Sequence, residues 1–400
     1  MTPKFATEAK ALLPELVELR RELHAHPELG LQLPQTQRRV LEAIEGLGLE
    51  ITLGKALSSI VAVLRGGKPG PTVLLRGDMD ALPVVEQSGL PFASQNGSMH
   101  ACGHDLHTAG LVGAARLLAA HRDELAGNVI FMFQPGEEGY GGAKIMLDEG
   151  LLEAAGEKPI GAYAIHVAPG PRGTFMTRPG AMAAGSNQLN ITVHGRGGHG
   201  SQPHQTLDPM PVAAEIVLAL QSFVTRRFDA FDPIILSVTQ ITGSEAVNVI
   251  PESVTLRATV RTLSENSLQR VIDEAPRLAA KIAEAHGLTA EGEVEVAYPV
   301  TINEGAATAE VLGWLGDEFG AQRVVEMPTP MMGSEDFAFV LNEVPGTFIA
   351  LLTSPEGVDL TTAEFNHSPR VLFDDGALGD QAAALATVAW HRLMGAGPTQ

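Results

Sequence analysis

Hydrophobic and polar residues form two different patterns along the first part of the chain. Leucines recur at helical spacing between charged residues from 7 to 26. Continuous apolar runs, bounded by glycines and prolines as buried strands are, lie at 59–65, 72–76, 129–133 and 162–167. Helical patterns lie beside them at 37–47, 108–125 and 142–152. This alternation predicts a layered α/β sheet that is at least partly parallel.

The pattern changes near residue 184. Strand-like runs now lie at 188–194, 234–241, 253–262 and 293–297, and helical patterns at 209–227 and 264–286. The resulting order, βαββαβ, is typical of a ferredoxin-like sandwich. The α/β pattern then resumes, with helices at 306–319 and 374–394 and a strand at 347–353. We therefore predict an inserted second domain at 184–298 and a discontinuous first domain at 1–183 and 299–400.

Composition narrows the class of protein. The chain has 400 residues, 44% of them hydrophobic, which suits about two globular domains. Its formal net charge of -20, with Lys+Arg 27 against Asp+Glu 47, argues against nucleic acid and anionic membranes as partners. No run reaches the ~18 consecutive apolar residues of a spanning helix, and the N-terminal segment lacks the apolar core of a signal peptide. We expect a cytoplasmic protein, and a small anionic substrate remains compatible with this charge.

The densest group of chemically active side chains lies at 99–107, where three histidines and an aspartate flank the only cysteine. Such a group of soft and borderline ligands is typical of a transition-metal site. A single cysteine cannot form an internal disulfide, so Cys102 is a thiol, a metal ligand or an intermolecular partner. Beside His100 and His104 the metal-ligand interpretation is favoured. His107 is either a helix-surface residue or a support for a ligand.

Other polar residues stand where predicted strands end. Glu137 and Glu138 follow the run at 129–133, and His166 closes the run at 162–167. Open α/β sheets place their sites at such strand ends. The alternatives are a solvated acidic loop, or a helix N-terminus that favours negative charge, for the glutamates, and a hydrogen-bonded core residue for His166. A metal hydrolase needs one carboxylate on the metal and a second that moves the proton, which this adjacent pair can supply.

Asp78 and Asp80 end the run at 72–76 in the same way, and an aspartate there often orients a histidine ligand. His367 lies in a loop and by itself predicts nothing. In the second domain, His199 stands in the glycine-rich turn at 195–201. This turn is either a plain hairpin loop or the display of an electrophilic histidine that reaches a substrate carbonyl.

Eight segments in order along the chain resemble one known family: RGDMDALP (76–83), MHACGHDLHTA (99–109), FQPGEEGYGGA (133–143), HVAPGPRG (166–173), GRGGHGSQPH (195–204), NVIPE (248–252), MGSEDFA (332–338) and NHSPRVLFDDGAL (366–378). The chain is similar to the metallo-aminoacylase and carboxypeptidase family. Within it, the chain looks like the branch of hippurate hydrolases, N-acyl-amino-acid amidohydrolases and auxin-conjugate hydrolases. The similarity covers nearly the whole chain.

The resemblance implies a fold and a site. The fold is a layered α/β metallopeptidase-like catalytic domain with an inserted ferredoxin-like lid or dimerisation domain, through which the chain would form a homodimer or a higher homo-oligomer. The site would bind two divalent metal ions, which could be zinc, manganese, cobalt or nickel. The implied ligands are Cys102, His104, Glu138, His166 and His367, with Cys102 bridging the two ions.

Five further residues receive roles by the same resemblance. Glu137 would be the general base and then the general acid, and Asp80 would orient a ligand. His199 would stabilise the oxyanion, in its own or the partner subunit's site. Asn248 and Arg261 would contact a substrate carboxylate; from its position alone, Arg261 is either a bidentate carboxylate ligand or an exposed charge at a strand end.

The sequence therefore predicts a metal-dependent amidohydrolase that cleaves the amide bond of N-acyl or N-aroyl amino acids. Two alternatives stay open. One is a metallo-dipeptidase or carboxypeptidase of the same fold, which would accept a free α-amino group on the acyl side. The other is a metal-dependent binding protein without catalysis, which would have no need of an unligated Glu137.

Overall fold

The computed structural model describes residues 3–395. Its helices are α1 (Phe5–Ala25), α2 (Pro34–Ala43), α3 (His104–Ala120), α4 (Gly142–Asp148), α5 (Pro209–Arg227), α6 (Glu265–Ala285), α7 (Gly305–Phe319), α8 (Ala338–Glu343) and α9 (Ala377–Gly395). Its first eight strands are β1 (Glu50–Leu53), β2 (Ile60–Arg65), β3 (Lys68–Asp78), β4 (Ala126–Gln134), β5 (Ala162–Ala168), β6 (Thr174–Thr177), β7 (Gly180–Ala183) and β8 (Gly185–His194). The others are β9 (Gly198–His199), β10 (Ile235–Thr242), β11 (Val249–Ile250), β12 (Ser253–Thr262), β13 (Thr289–Tyr298), β14 (Thr301–Asn303), β15 (Val324–Glu326) and β16 (Gly346–Leu352).

The larger sheet has eight strands in the order β1-β2-β4-β3-β5-β16-β6-β15. Its centre is parallel, because β4, β3, β5 and β16 run in one direction, whereas β2 and β6 pair antiparallel with their inner neighbours. Helices α3 and α9 pack on each other, on α1 and against β3. Both are rich in alanine and leucine and buried on almost every side, as expected of helices inside a layered α/β core.

The smaller sheet has the antiparallel order β10-β12-β8-β13. Along β12, the residues Val254, Leu256, Ala258 and Val260 are buried and alternate with more exposed ones. This period of two places one face of the sheet against α5 and α6, whose buried side chains share a core with it. The order β8-α5-β10-β12-α6-β13 confirms the predicted βαββαβ arrangement.

The chain forms two compact units. The first contains residues 3–182, 302–329 and 336–395, and the second contains 183–301 and 330–335. The sequence prediction had left 330–335 with the first domain. They belong to the second unit because the Ala184 backbone N–H donates to the carbonyl oxygens of Met331 and Gly333, at 3.0 and 2.9 Å.

The predicted helix bounds differ most from the observed ones in α2, α3 and α4. Helix α2 runs from Pro34 to Ala43, whereas the pattern predicted 37–47. Helix α3 begins at His104 and ends at Ala120, whereas the apolar pattern predicted 108–125. The polar residues of its first turn are buried, so hydrophobicity did not mark its start. Helix α4 ends at Asp148, four residues before its predicted end. Within residues 3–395, no helix combines the length and the apolarity that a membrane crossing requires.

Candidate metal centre

The sheet brings the predicted site residues of the first unit to one edge. Strands β4, β3 and β5 are parallel neighbours, so their carboxyl ends lie at the same edge of the sheet. Glu138 follows β4, Asp80 follows β3, and His166 lies near the end of β5. Of the remaining predicted ligands, Cys102 lies in the turn before α3 and His104 is the first residue of α3. His367 lies in the loop after β16, where its backbone N–H donates to Ala101 O at 2.9 Å.

The donor atoms of the five predicted ligands lie close together. Cys102 Sγ is 3.4 Å from His166 Nε2, and His367 Nε2 is 3.2 Å from Glu138 Oε1. In two groups, all donor atoms lie within 4.8 Å of one another: Cys102 with His104 and His166, and Cys102 with Glu138 and His367. The sulfur belongs to both groups, which is the position that a ligand shared by two ions needs.

Hydrogen bonds fix the orientation of two of these imidazoles. His104 Nδ1 lies 2.8 Å from Asp80 O, and His166 Nδ1 lies 2.8 Å from Val167 O. Because a carbonyl oxygen only accepts, each Nδ1 carries a proton, so in the neutral ring, the form that binds a metal ion, Nε2 has the lone pair. His104 Nε2 is buried and forms no hydrogen bond with any residue from 3 to 395. A buried imidazole lone pair without a hydrogen bond is suited to a metal ion.

The electrostatics of the cluster also favour cations. Burial alone raises the pKa of the Cys102 thiol, but the imidazoles of His166, His104 and His367 outweigh burial and hold that pKa well below its ordinary value. Hydrogen bonds to Cys102 and Glu138 raise the pKa of His367 to about 10. The cluster therefore attracts positive charge where metal ions would lie.

The donor set fits two divalent ions. A thiolate, three imidazoles and a carboxylate are ligands that zinc accepts, and manganese, cobalt and nickel share part of this preference. Together with the buried His104 Nε2, which forms no hydrogen bond within residues 3–395, the two donor groups around Cys102 provide ligands for two metal ions.

Gly103 separates two of the predicted ligands, Cys102 and His104, and lies in a turn with an unusual backbone. Its φ is +84°, in the left-handed region. A Cβ at this position would lie 2.3 Å from Val167 Cγ2, so the turn before α3 also packs directly on β5. Only glycine satisfies both conditions without strain.

The loop that carries His367 has an unusual backbone. Within residues 3–395, His367 is the only non-glycine residue with positive φ, at 73°. The neighbouring Asn366 holds the loop in place, because its Nδ2 donates to Cys102 O at 3.2 Å and to Val167 O at 3.1 Å. Such backbone strain persists where the surrounding contacts over-determine the conformation, and it is common at functional sites.

Asp80 fixes the turn that carries the two glutamates. Its Oδ1 accepts from the Glu137 backbone N–H and its Oδ2 from that of Glu138, each at 3.0 Å. Both glutamates also lie near His104, since one donor atom from each of the three residues falls within 4.8 Å of the others. Asp80 therefore contacts His104 through its backbone carbonyl and orients the glutamates through its carboxylate.

His107 and Asp78 form a support for the site to which sequence reasoning gave little weight. His107 Nε2 accepts from the Val167 backbone N–H at 2.8 Å, so its Nδ1 carries the proton and donates to Asp78 Oδ1 at 2.5 Å. Both ring nitrogens of His107 are engaged in this way, which excludes it as a metal ligand in this conformation. Asp78 Oδ2 lies 3.3 Å from His104 Nε2 and 2.7 Å from Arg76.

A buried polar network behind the site was missed in the sequence. Arg76 contacts Asp336 at 3.1 Å and Gln134 at 2.9 Å, and Gln134 Nε2 donates to both carboxylate oxygens of Asp336. Asp336 also accepts from the Ala143 backbone N–H. Two features of the sequence could have indicated it. Arg76 is a charged residue at the end of the apolar run at 72–76, and Asp336 lies in the MGSEDFA segment, to which no role was assigned.

The second unit holds the other three predicted residues. His199 and Asn248 are neighbours, since β9 pairs with β11 and the Gly200 backbone N–H donates to Asn248 O at 2.8 Å. His199 is exposed and its Nδ1 accepts from Ser201 Oγ at 2.8 Å. Arg261 lies on β12, where it alternates with the buried residues that face α5 and α6. Partial burial lowers the pKa of its guanidinium.

Comparison with known proteins identifies the family. A family model described as peptidase family M20/M25/M40 matches residues 74–391. The chain belongs to this family. It is 36% identical to thermostable carboxypeptidase 1 of Saccharolobus solfataricus over 395 residues, and this match covers 97% of this chain and 98% of that protein. It is 35% identical to N-acetylcysteine deacetylase of Bacillus subtilis, over 92% of this chain and 94% of that protein.

A solved structure supports the same placement. The M20-family chain is similar to a Bacillus subtilis protein described as a dinuclear metal binding peptidase of the M20 family. The TM-score is 0.83 and the identity 31%, covering 96% of this chain and 99% of the other. The M20 fold, with a catalytic domain and an inserted domain, is thus confirmed. The chain is a hydrolase that acts on amide bonds.

Proposed function

We propose that this M20-family hydrolase is a metal-dependent amidohydrolase that cleaves N-acyl or N-aroyl amino acids to a carboxylic acid and a free amino acid. The observation that carries the proposal is the pair Glu137 and Glu138, held by the two oxygens of Asp80 beside the donor groups around Cys102. One carboxylate is available for a metal ion and its neighbour for proton transfer.

The proposed ligands are Cys102, His104, Glu138, His166 and His367. Two metal ions bound there would lower the pKa of a water molecule and polarise the amide carbonyl. Glu137 takes the proton from the attacking water and returns it to the nitrogen of the leaving amino acid when the C–N bond breaks. Asp80 positions Glu137 for this proton transfer by accepting a hydrogen bond from its backbone N–H.

The second unit would supply the substrate contacts. His199 stabilises the tetrahedral oxyanion as a hydrogen-bond donor, in its own or the partner subunit's site. Asn248 and Arg261 contact the substrate carboxylate, Arg261 through its guanidinium fork. We also propose a homodimer formed through this unit, and a cytoplasmic location stays a prediction.

The second candidate is a carboxypeptidase or dipeptidase, and the name of the Saccharolobus relative favours it. The two candidates differ in whether the acyl side carries a free α-amino group. We would measure turnover of benzoyl-, acetyl-, longer acyl- and indoleacetyl-amino acids and of dipeptides, with zinc, manganese, cobalt or nickel added back. Preference for dipeptides would favour the second candidate. If protein with two bound metals turned over no substrate, the remaining alternative, a metal-dependent binding protein without catalysis, would be favoured.

A further inference from the structure

A groove in the second unit concentrates positive charge in a chain of the opposite sign. It lies between α5 and α6 and has a volume of about 650 Å³. Its cations, which we call the basic groove residues, are Arg226, Arg227, Arg277 and Lys281. On α6 they repeat at helical spacing along one face. Arg270 lies beside the groove, 3.9 Å from Glu274.

The local balance of charge is unlike that of the chain. The whole sequence has Lys+Arg 27 against Asp+Glu 47, yet Glu274 is the one carboxylate that lines this groove. Cations in the last turn of a helix interact favourably with its dipole, which accounts for Arg226 and Arg227 at the end of α5. Arg277 lies in the interior of α6 and has no such explanation.

The carboxylates nearby do not neutralise the groove. Glu274 is engaged by Arg227 through two hydrogen bonds, of 3.0 and 2.9 Å. Lys281 pairs with Glu284 at 2.6 Å. Arg226 and Arg277, by contrast, form no hydrogen bond or ion pair with any residue of the described chain, and both are exposed. Two guanidinium forks are thus available at one groove.

The floor of the groove is apolar. Ala219, Phe223 and Leu278 line it between the cations, and Phe223 is buried. Guanidinium groups bind phosphate and carboxylate oxygens through paired N–H donors. We propose that the basic groove binds a small, multiply charged oxyanion carried on an apolar or aromatic group. The oxyanion would lie between Arg226 and Arg277, and the apolar group would cover Phe223 and Leu278. This proposal is independent of the amidohydrolase assignment.

Binding of 1-naphthyl phosphate to the metal-loaded full chain, measured by calorimetry at fixed ionic strength, tests the proposal. The double variant Arg226→Gln/Arg277→Gln should bind 1-naphthyl phosphate with a Kd at least about tenfold higher, because charge-assisted hydrogen bonds are lost. The matched control is Arg38→Gln, an exposed helical arginine whose nearest carboxylate is 3.9 Å away. The control should bind like the unaltered chain, and inorganic phosphate should bind the unaltered chain more weakly than the aryl phosphate.

Three results would overturn the proposal. The first is no binding to the unaltered chain. The second is equal Kd values in the double variant and the unaltered chain, which would place the anion elsewhere, such as the metal centre. The third is a fall in molecular mass of the double variant by light scattering, without anion binding to the unaltered chain. That result would make the groove an interface between copies.

Discussion

Asp80 and Glu137 are joined by a hydrogen bond of 3.0 Å from the Glu137 backbone N–H to Asp80 Oδ1, while Asp80 Oδ2 accepts from the next residue. One buried carboxylate therefore sets the position of both glutamates at once. The proposed division of labour between them depends on this arrangement, because a metal-binding and a proton-transferring carboxylate must face different partners.

Asp80→Asn should disturb this turn. The substituted amide can accept only one of the two backbone N–H groups, and its own N–H₂ would oppose the other. Because the Asp80 side chain is fully buried, we expect a loss of about 1–3 kcal/mol in the free energy of unfolding. A fall in kcat should accompany it. Urea unfolding and turnover of N-benzoylglycine measure the two effects, and full activity with unchanged stability would rule out the orienting role.

Glu137→Gln and Glu138→Gln should fail in different ways. We expect Glu137→Gln to lose about 10²–10⁴-fold in kcat while keeping its metal, because it removes only the proton-transfer group. We expect Glu138→Gln to lose metal, because it removes a ligand. Metal content by mass spectrometry, measured beside turnover, separates the two. Equal metal loss in both variants would contradict the assignment.

Gly103→Ala should be costly for two reasons that a control can separate. Left-handed backbone costs a non-glycine residue about 1–2 kcal/mol, and the new Cβ would also lie 2.3 Å from Val167 Cγ2. Gly97 has the same φ of +84° with nothing within 4 Å of its Cβ position. Gly97→Ala should therefore show only the backbone cost. Denaturant unfolding compares them, and equal losses would mean that β5 does not constrain the turn.

Cys102→Ala should lose paired-metal binding and turnover while the fold is largely kept, since the sulfur belongs to both donor groups. Circular dichroism would show whether the fold is kept, and metal analysis with a turnover assay would show whether metal binding and activity are lost. If metal content and turnover both survived, the sulfur would not be a shared ligand.

His24 should make stability depend on pH. Burial alone lowers its pKa, but Asp105 and Glu86, whose carboxylates lie 2.8 and 3.0 Å away, outweigh burial and raise its pKa above 6.5. A raised pKa stabilises the fold in full below pH 6.5, and this stabilisation is lost as the pH rises through the higher value. His24→Gln should therefore lose more stability at pH 6 than at pH 9.

The control for this pH effect is His26→Gln, an exposed position on the same segment. Its change in urea midpoint should be small beside that of His24→Gln at pH 6. A His24→Gln loss that did not depend on pH would mean that the buried imidazole contributes by packing alone.

The sequence predicted the fold where hydrophobic runs were long. Strands β2 to β5 and β16 are almost entirely buried, so their apolar runs identified them. Strand β1 was missed because all four of its residues are exposed and it carries no buried pattern. The start of α3 was missed because its first turn holds three polar residues, among them the proposed ligand His104.

For the site, strand ends and a dense ligand cluster were visible in the sequence, and the structure gathers those residues. The supports were only partly visible: Asp78, Asp80 and His107 were predicted as possible supports, but the network behind them was not. Asp336 reaches Arg76 and Gln134 across 260 and 202 residues of chain, and no local pattern encodes such a pairing. For His107 the sequence left a helix-surface role and a supporting role open, and the contacts of both its ring nitrogens with Asp78 and Val167 fit the supporting role.

The most direct test of the central claim is a metal titration followed by turnover. Metal-stripped protein would receive increasing zinc or manganese, and release of glycine from N-benzoylglycine, or of the amino acid from an N-acetyl amino acid, would be measured at each ratio. We predict no turnover without metal, a rise that ends at two ions per chain, and two bound ions without turnover in Glu137→Gln. Full turnover by the metal-free chain, or by Glu137→Gln, would contradict the account.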